Sequence, residues 1–471
     1  MEETVAEKIG HFVSDLSYDT LPGEVRDKVK SCMINALAIG MSAHRIEFTR
    51  MARELVKAQE TGIPPEMGAT VFCDGSKVTP MGAAFANAAL FHARVQEDTV
   101  GSSHAGTVVI PSVLALAERD GYPGKRILEA VVSGYEVIGR FDKFVSMHTT
   151  PRGFRASPIF GILGSSVASS KVLGLTEEET INALGFAAAF AGGTLESFAA
   201  GTVEWRYEVS VASREGMTAA LLAKQGARSA RTALEGKAGF LKAFAGTTET
   251  AEFITRDLGK TWDMMDAGFK LYPVCAFNQT PVRTLLALIK ENNLSAQDIK
   301  KIQIEVNPYE YHYEGLAFQG PFSSAESALM STPFCAALVA MEGRVTLNGL
   351  YRFNDPNIGE MMKKIEHRPN EKIPTYCCTL ILTTKKGDSL RKESTEGPAY
   401  YNFNMEQTIE LARRVTSEAG LDQDKVSRMI DVVGNLDEAL DVKGLADLMG
   451  SCHSNSQPGD PTPFTKPTRE A

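Results

Sequence analysis

Between Met81 and about Lys224 small side chains dominate: Ala83, Ala84, Ala86, Ala88 and Ala89, then Gly161, Gly164, Ser165, Ala168 and Ser169, then Ala187–Ala189. Nothing else in the chain restricts its fold as much. Small residues at three- and four-residue spacing let helix axes approach closely, so this stretch predicts a tightly packed, all-helical core. Similar compositions occur in membrane helices, but these segments are short and interrupted by charge, and no apolar run is long enough to span a bilayer. Hydrophobic residues make up 43% of the chain and charged residues 23%, as in an ordinary soluble globular protein. With 471 residues there is room for two or three domains and a large core.

On either side of that core the patterning changes. Glu3–Leu16 has helical apolar periodicity, Leu21-Pro22-Gly23 breaks it, and Val25–Ile39 resumes it. Gly68–Val71, Asp74-Gly75 and Thr79-Pro80 mark a short extended or turn region. Thr176 followed by Glu179 reads as a capping box opening a helix. After Lys260, a loop over Gly268–Thr280 leads to a helix over Val282–Glu291 and an alternating strand over Ile299–Val306. An apolar helix over Glu326–Gly343 follows, then a strand over Thr379–Thr384 with a turn at Lys385–Asp388. This second region reads as a smaller α+β unit. Met405–Ala412 and Lys425–Leu448 return to helix. From about Ser454 the chain is Pro-, Ser- and Thr-rich and is expected to be disordered.

A net charge of -9 without a dense basic face argues against a nucleic-acid partner. The N-terminus is charged and amphipathic, unlike a secretory signal. Seven cysteines (32, 73, 275, 335, 377, 378 and 452) show neither a paired framework nor metal-type spacing, so reduced thiols and a cytoplasmic setting are expected. No glycine-rich dinucleotide fingerprint, zinc motif, calcium loop or serine-nucleophile elbow is present. Leu258-Gly259-Lys260-Thr261 resembles the end of a phosphate loop, but Ile254 stands where its leading glycine belongs. Chemistry run by side chains alone, without cofactor or metal, is the enzymatic option left.

The stretch Phe91–Pro111 concentrates that chemistry. Glu97, Asp98 and His104 lie close together with hydroxyls at Thr99, Ser102 and Ser103, and Gly101 and Gly106 frame the histidine. Apolar runs precede and follow it, which is how a polar loop is presented between packed helices.

Several stretches together resemble the MmgE/PrpD family of 2-methylcitrate dehydratases, cis-aconitate decarboxylases and iminodisuccinate epimerases. They are Gly68–Val71 with Val78–Asn87, then His92 to Asp98-Thr99 and His104, and Gly161–Leu175. Phe269–Cys275, Ser327–Thr346 and Gly397–Ile409 continue the series in order, up to about Gly450. The resemblance implies a mainly α fold: a large helical domain (1–266, completed by 399–452) with an inserted α+β lid (267–398), ahead of a tail at 453–471. It also implies a cofactor-independent lyase acting on a small di- or tricarboxylate, in a homodimer. An epimerase or a non-catalytic carboxylate-binding paralogue is the alternative.

By position, His104 matches the family's loop histidine, Asp98-Thr99 its acid–hydroxyl pair, and Lys270 the lysine of its K-x-Y-P-x-C segment. These are the expected catalytic residues. Tyr272 and Cys275 beside that lysine, with Ser103, Arg155 and Arg206, are the expected substrate contacts, Cys275 as a small packed residue rather than a nucleophile. A group titrating near neutrality suits proton transfer next to a carboxylate, and a lysine cation suits the enediolate charge that develops. Arg155 and Arg206 suit carboxylate binding. Glu97 reads as a solvated acid, Trp205 as packing, and Glu204 or Glu208 as a substitute base. Departures from the family pattern are Val95 for an acid, Arg155 for a histidine, Trp205 for a lysine, Gln279 for a histidine and Phe334 for a tyrosine.

Overall fold

The computed structural model describes residues 3–60 and 62–452; the stretch expected to be disordered, 453–471, lies outside them. The chain is predominantly α-helical and divides into two compact units. The larger takes in the chain up to Thr194, Arg206–Phe269, and the C-terminal part from Asn402; the smaller takes in Leu195–Trp205 and Lys270–Tyr401.

In the larger unit, helices Gly23–Ser42, Pro80–His92, Ala105–Asp120, Gly124–Thr149 and Ala156–Leu173 pack with almost every residue of their inner turns buried. The small residues do what their spacing suggests. A Cβ at Gly164 would sit 2.7 Å from the carbonyl oxygen of Gly134 and 2.5 Å from Cγ1 of Ile138. Only glycine lets the two helices meet backbone to backbone there. The Thr176–Glu179 capping box opens helix Glu177–Phe190. The C-terminal return completes this unit: helix Met405–Glu418 packs on Gly23–Ser42, and Lys28 Nζ donates to Asn402 Oδ1 at 2.5 Å.

The smaller unit is built on a four-stranded mixed sheet. Strand Ile299–Val306 lies between Ile365–Pro369, which runs parallel to it, and Cys378–Thr384, which runs antiparallel; Ser389–Ser394 is the far edge. Helices Gln279–Glu291 and Thr332–Glu342 pack on the strands and on each other. The parallel strand Ile365–Pro369 and the edge strand were not legible, being short and half charged.

Three expectations need correction. The apolar helix over Glu326–Gly343 is two helices, Ala325–Met330 and Thr332–Glu342. Pro333 occupies the first turn of the second, and Ser331 caps it by accepting from Phe334 N at 3.1 Å. The helix over Lys425–Leu448 is likewise two, Gln423–Gly434 and Lys443–Met449, with a 3-10 turn at Leu436–Glu438 between them. Not all thiols are reduced: Cys73 and Cys452, 379 residues apart in sequence, form a disulfide. It fastens the C-terminal segment to the turn after Gly68–Val71, where Cys73 N also donates to Met449 O at 2.8 Å. No spacing rule could have paired cysteines so far apart. No helix among the described residues is long and apolar enough to cross a membrane.

Candidate active site

Helix Pro80–His92 ends at His92, and helix Ala105–Asp120 begins directly after His104. The segment between them is turned back on itself so that both imidazoles face one carboxylate. Val95 takes φ 60°, a left-handed conformation that costs a β-branched residue about 1–3 kcal/mol. That bend carries Glu97 under the two rings. Glu97 Oε1 lies 3.2 Å from Nδ1 of His92 and 3.5 Å from Nδ1 of His104, and the ring centroids are 5.2 Å apart. Glu97 is therefore not a solvated acid: it is 1% exposed. His104 keeps 13% of its side-chain surface and is the open end of the group. Its Nδ1 is also 3.2 Å from the carbonyl oxygen of Asp98. Asp98 O and Glu97 Oε1 are both acceptors, which suits a proton on Nδ1.

Asp142, on helix Gly124–Thr149, holds the loop that presents His104. Its carboxylate accepts from Ser102 N at 3.1 Å, Ser102 Oγ at 3.0 Å and Ser103 Oγ at 2.5 Å. Gly101 adopts φ 61°, and a Cβ there would stand 2.2 Å from Asp142 Oδ1, so the turn requires glycine twice over. Ser157 Oγ accepts from His104 N at 3.1 Å.

The residues expected from the sequence fall into two groups. His104, Asp98, Thr99, Ser103, Arg155 and Arg206 belong to the larger unit; Lys270, Tyr272 and Cys275 belong to the smaller. Asp98 is fully buried. Its Oδ2 accepts from Tyr135 Oη at 2.7 Å, and burial pushes its carboxyl up to about 6. Thr99 is half-buried in the short pairing of Asp98–Thr99 with Gly268–Phe269. Ser103, expected to contact substrate, is fully buried with its hydroxyl committed to Asp142.

Arg155, expected on substrate, donates from Nη2 to His92 Nε2 at 2.9 Å and from Nη1 to Glu208 Oε2 at 3.2 Å. Arg206 donates to Ala93 O at 2.7 Å, with its guanidinium 4.3 Å from the Phe48 ring centroid. Glu208, considered as a base, is engaged by Arg155 and by Thr194 N at 3.0 Å. Glu204 lies at the exposed start of its helix, where hydrogen bonds lower its carboxyl.

In the smaller unit, Lys270 is buried and follows directly in the chain from Gly268–Phe269. Gln279, standing where the family pattern has a histidine, cross-braces the loop that follows. Its Oε1 accepts from Leu271 N at 2.9 Å and Tyr272 N at 3.0 Å, and its Nε2 donates to Tyr272 O at 2.9 Å. Loss of solvent pushes the Cys275 thiol up, away from the thiolate a nucleophile needs. Trp205 packs on Phe198, with ring centroids 5.6 Å apart. Phe334 is fully buried against Phe322 and has no hydroxyl to offer.

His92 is the site residue that sequence reading passed over. Its one signal was a lone titratable side chain closing an otherwise apolar, small-residue helix. Among the described residues no group of three or more His, Cys, Asp or Glu side chains is arranged to hold a metal ion.

Comparison with known proteins agrees with this architecture. Residues 7–252 match the MmgE/PrpD N-terminal domain and residues 272–436 the MmgE/PrpD C-terminal domain. Cis-aconitate decarboxylase of Aspergillus terreus is 24% identical, with 94% of this chain and 96% of that protein covered. The cis-aconitate decarboxylase of Homo sapiens is also 24% identical, with 95% of each chain covered, and that of Mus musculus 24%, with 95% of this chain and 94% of that one. With both domain models matched in order over most of its length, the chain belongs to the MmgE/PrpD family.

Proposed function

We propose that this protein is an enzyme acting on a small di- or tricarboxylate, and that its reaction begins with proton transfer at the carbon beside a carboxylate. The observation that carries the reading is His104. It is partly open, its Nδ1 is held between two acceptors, and it stands on a loop fixed by Asp142, within a chain-long match to proteins named cis-aconitate decarboxylase. Nε2 takes the proton, and the buried Glu97 carboxylate stabilises the imidazolium that results. Proton removal leaves enediolate charge on the substrate, and Lys270 is the proposed cation for it. For dehydration the enediolate electron pair forms an alkene as a β-hydroxyl leaves with a proton as water. For decarboxylation the imidazolium of His104 acts instead as the acid, and the pair from the broken C–C bond passes through the substrate alkene to take its proton at the carbon beside the remaining carboxylate. Either outcome makes the chain a lyase. Thr99 is the proposed hydroxyl contact. Asp98, enclosed and bonded to Tyr135, is proposed to shape the turn rather than touch substrate. No cofactor is invoked, and the assembly proposed is a homodimer in the cytoplasm.

One observation favours proton transfer without a leaving group. Where the family pattern has a proton-donating tyrosine and histidine, this chain has the buried Phe334 and the loop-bracing Gln279. An epimerase needs no donor to a departing group. The test is incubation with cis-aconitate, citrate-like and succinate-like acids, with products followed by proton NMR. A decarboxylated or dehydrated product supports the lyase, and inverted substrate alone supports the epimerase. No change with any acid, or turnover that survives both His104→Asn and Lys270→Ala, overturns the proposal.

A further inference from the structure

Helix Gly124–Thr149 holds the segment before His104 at two points, about two helical turns apart. Asp142 grips it next to the imidazole, at Ser102 and Ser103. Tyr135 grips it further back, at Asp98. We infer that Tyr135 is a positioning residue for His104: its hydroxyl pins the Asp98 side chain, and this keeps the Asp98 carbonyl oxygen against Nδ1 of the imidazole. It rests on the reading that His104 carries the proton, and it gives a role to a buried phenol that the proposed reaction does not itself use.

Tyr135 is fully buried, and its Oη donates to Asp98 Oδ2 at 2.7 Å. Asp98 is fully buried too, and its Oδ1 makes no hydrogen bond among the described residues. A buried carboxyl that loses a donor keeps the whole cost of its lost hydration, so the phenol is what holds this side chain in place. The Asp98 backbone is fixed separately, by antiparallel pairing with Phe269. Held in both ways, its carbonyl oxygen lies 3.2 Å from His104 Nδ1. Gly106 shows how closely the clamp is fitted. It stands in the first turn of helix Ala105–Asp120, and a Cβ there would lie 2.5 Å from Asp98 Oδ1 and 2.6 Å from Tyr135 Oη. Only glycine lets the helix that begins after His104 start against the carboxyl and the phenol.

The titratable groups that act on Asp98 come from three elements. Burial is the largest influence and raises its carboxyl; the hydrogen bond from Tyr135 lowers it, Glu97 on the same loop raises it, and Lys28 on helix Gly23–Ser42 lowers it. Cys32, on that same helix, interacts with both the phenol and Asp98, and burial holds its thiol protonated. Removing the Tyr135 hydroxyl takes away an influence that favours the charged carboxylate. A more neutral Asp98, and a carbonyl no longer held against Nδ1, both disfavour the imidazolium. His104 therefore gives up its proton at lower pH, and its neutral ring carries less of the remaining proton on Nδ1.

The experiment is nitrogen-15 NMR of the full chain labelled at its eight histidines, recorded across neutral pH, with His104 assigned through His104→Asn. It needs no substrate, so its outcome is separate from whether the proposed reaction is correct. Tyr135→Phe keeps the buried ring and removes only the hydroxyl. The expected result is a His104 midpoint lower by about 0.5 pH unit or more, with a larger share of the tautomer protonated at Nε2. Asp98→Asn should move both readings the same way, and the double variant no further than the larger single shift, because Tyr135 acts through Asp98. Cys32→Ala loosens the packing beside the same phenol but spares its bond to Asp98, and should leave both readings as in the wild type. Wild-type midpoint and tautomer in Tyr135→Phe would overturn the inference, as would shifts that add in the double variant or an equal shift in Cys32→Ala. If Tyr135→Phe does not fold, Asp98→Asn decides: an unchanged His104 overturns the inference and a lower midpoint sustains it.

Discussion

Replacing Gly164 by alanine tests whether the small residues set the helix spacing. At an open helix position the change from glycine to alanine stabilises by about 1 kcal/mol, because alanine loses less backbone freedom on folding. At Gly164 the new methyl would be 2.7 Å from the Gly134 carbonyl oxygen and 2.5 Å from Ile138 Cγ1. Ile138 can shift; a backbone carbonyl in a packed helix cannot without moving the helix. Overpacking of this kind costs about 1–3 kcal/mol, and the backbone contact puts this site at the upper end. The net expectation is destabilisation of roughly 2 kcal/mol. Gly444→Ala, in helix Lys443–Met449 with nothing within 4 Å of the added carbon, is the control and should stabilise by up to about 1 kcal/mol. Urea denaturation of both variants reads the difference in sign. If Gly164→Ala stabilises as the control does, the close approach of the two helices is not what the glycines provide.

Asp142→Ala should strand the half-buried amide and hydroxyl of Ser102 and the buried hydroxyl of Ser103, lowering stability by about 2–4 kcal/mol, with Asp142→Asn recovering part of it; equal urea midpoints for all three proteins would refute this. Cutting the link between Cys73 and Cys452 with reductant or Cys452→Ser should destabilise by roughly 2–4 kcal/mol, and a melting temperature indifferent to reductant would contradict it. Burial of His367 against the Tyr311 ring holds its imidazole down at about 4, against an ordinary value of 6.5. The folded state thus disfavours the charged form: the stability is intact above 6.5 and is lost as pH falls from there toward 4. His367→Phe should flatten that part of the pH–stability curve, and an unchanged acid limb would show that His367 is not its source.

The helical core was readable because a small-residue pattern at helical spacing has one good packing solution. The break at Ser331 could have been found from Pro333, which opens helices better than it continues them. His104 was readable as a polar residue on a loop between apolar helices. The rest was not, for physical reasons. Glu97 looked solvated because nothing local announces a backbone reversal at Val95, a residue type that avoids such a conformation. Arg155 looked like a substrate clamp because its bonds to His92 and Glu208 span 63 and 53 residues of sequence. Ser103 looked like a contact because its partner Asp142 lies 39 residues on, inside an apolar helix.

The proton-transfer account stands or falls on deuterium wash-in. Wild-type protein and His104→Asn, each held with cis-aconitate and its chemical relatives in heavy water, are compared for deuterium at the carbon next to a carboxylate, with binding checked by thermal shift. The expected outcome is deuterium uptake by the wild type, slowed about a hundredfold or more in His104→Asn, with acid binding retained. Uptake at equal rates in both proteins would mean the imidazole of His104 does not move the proton.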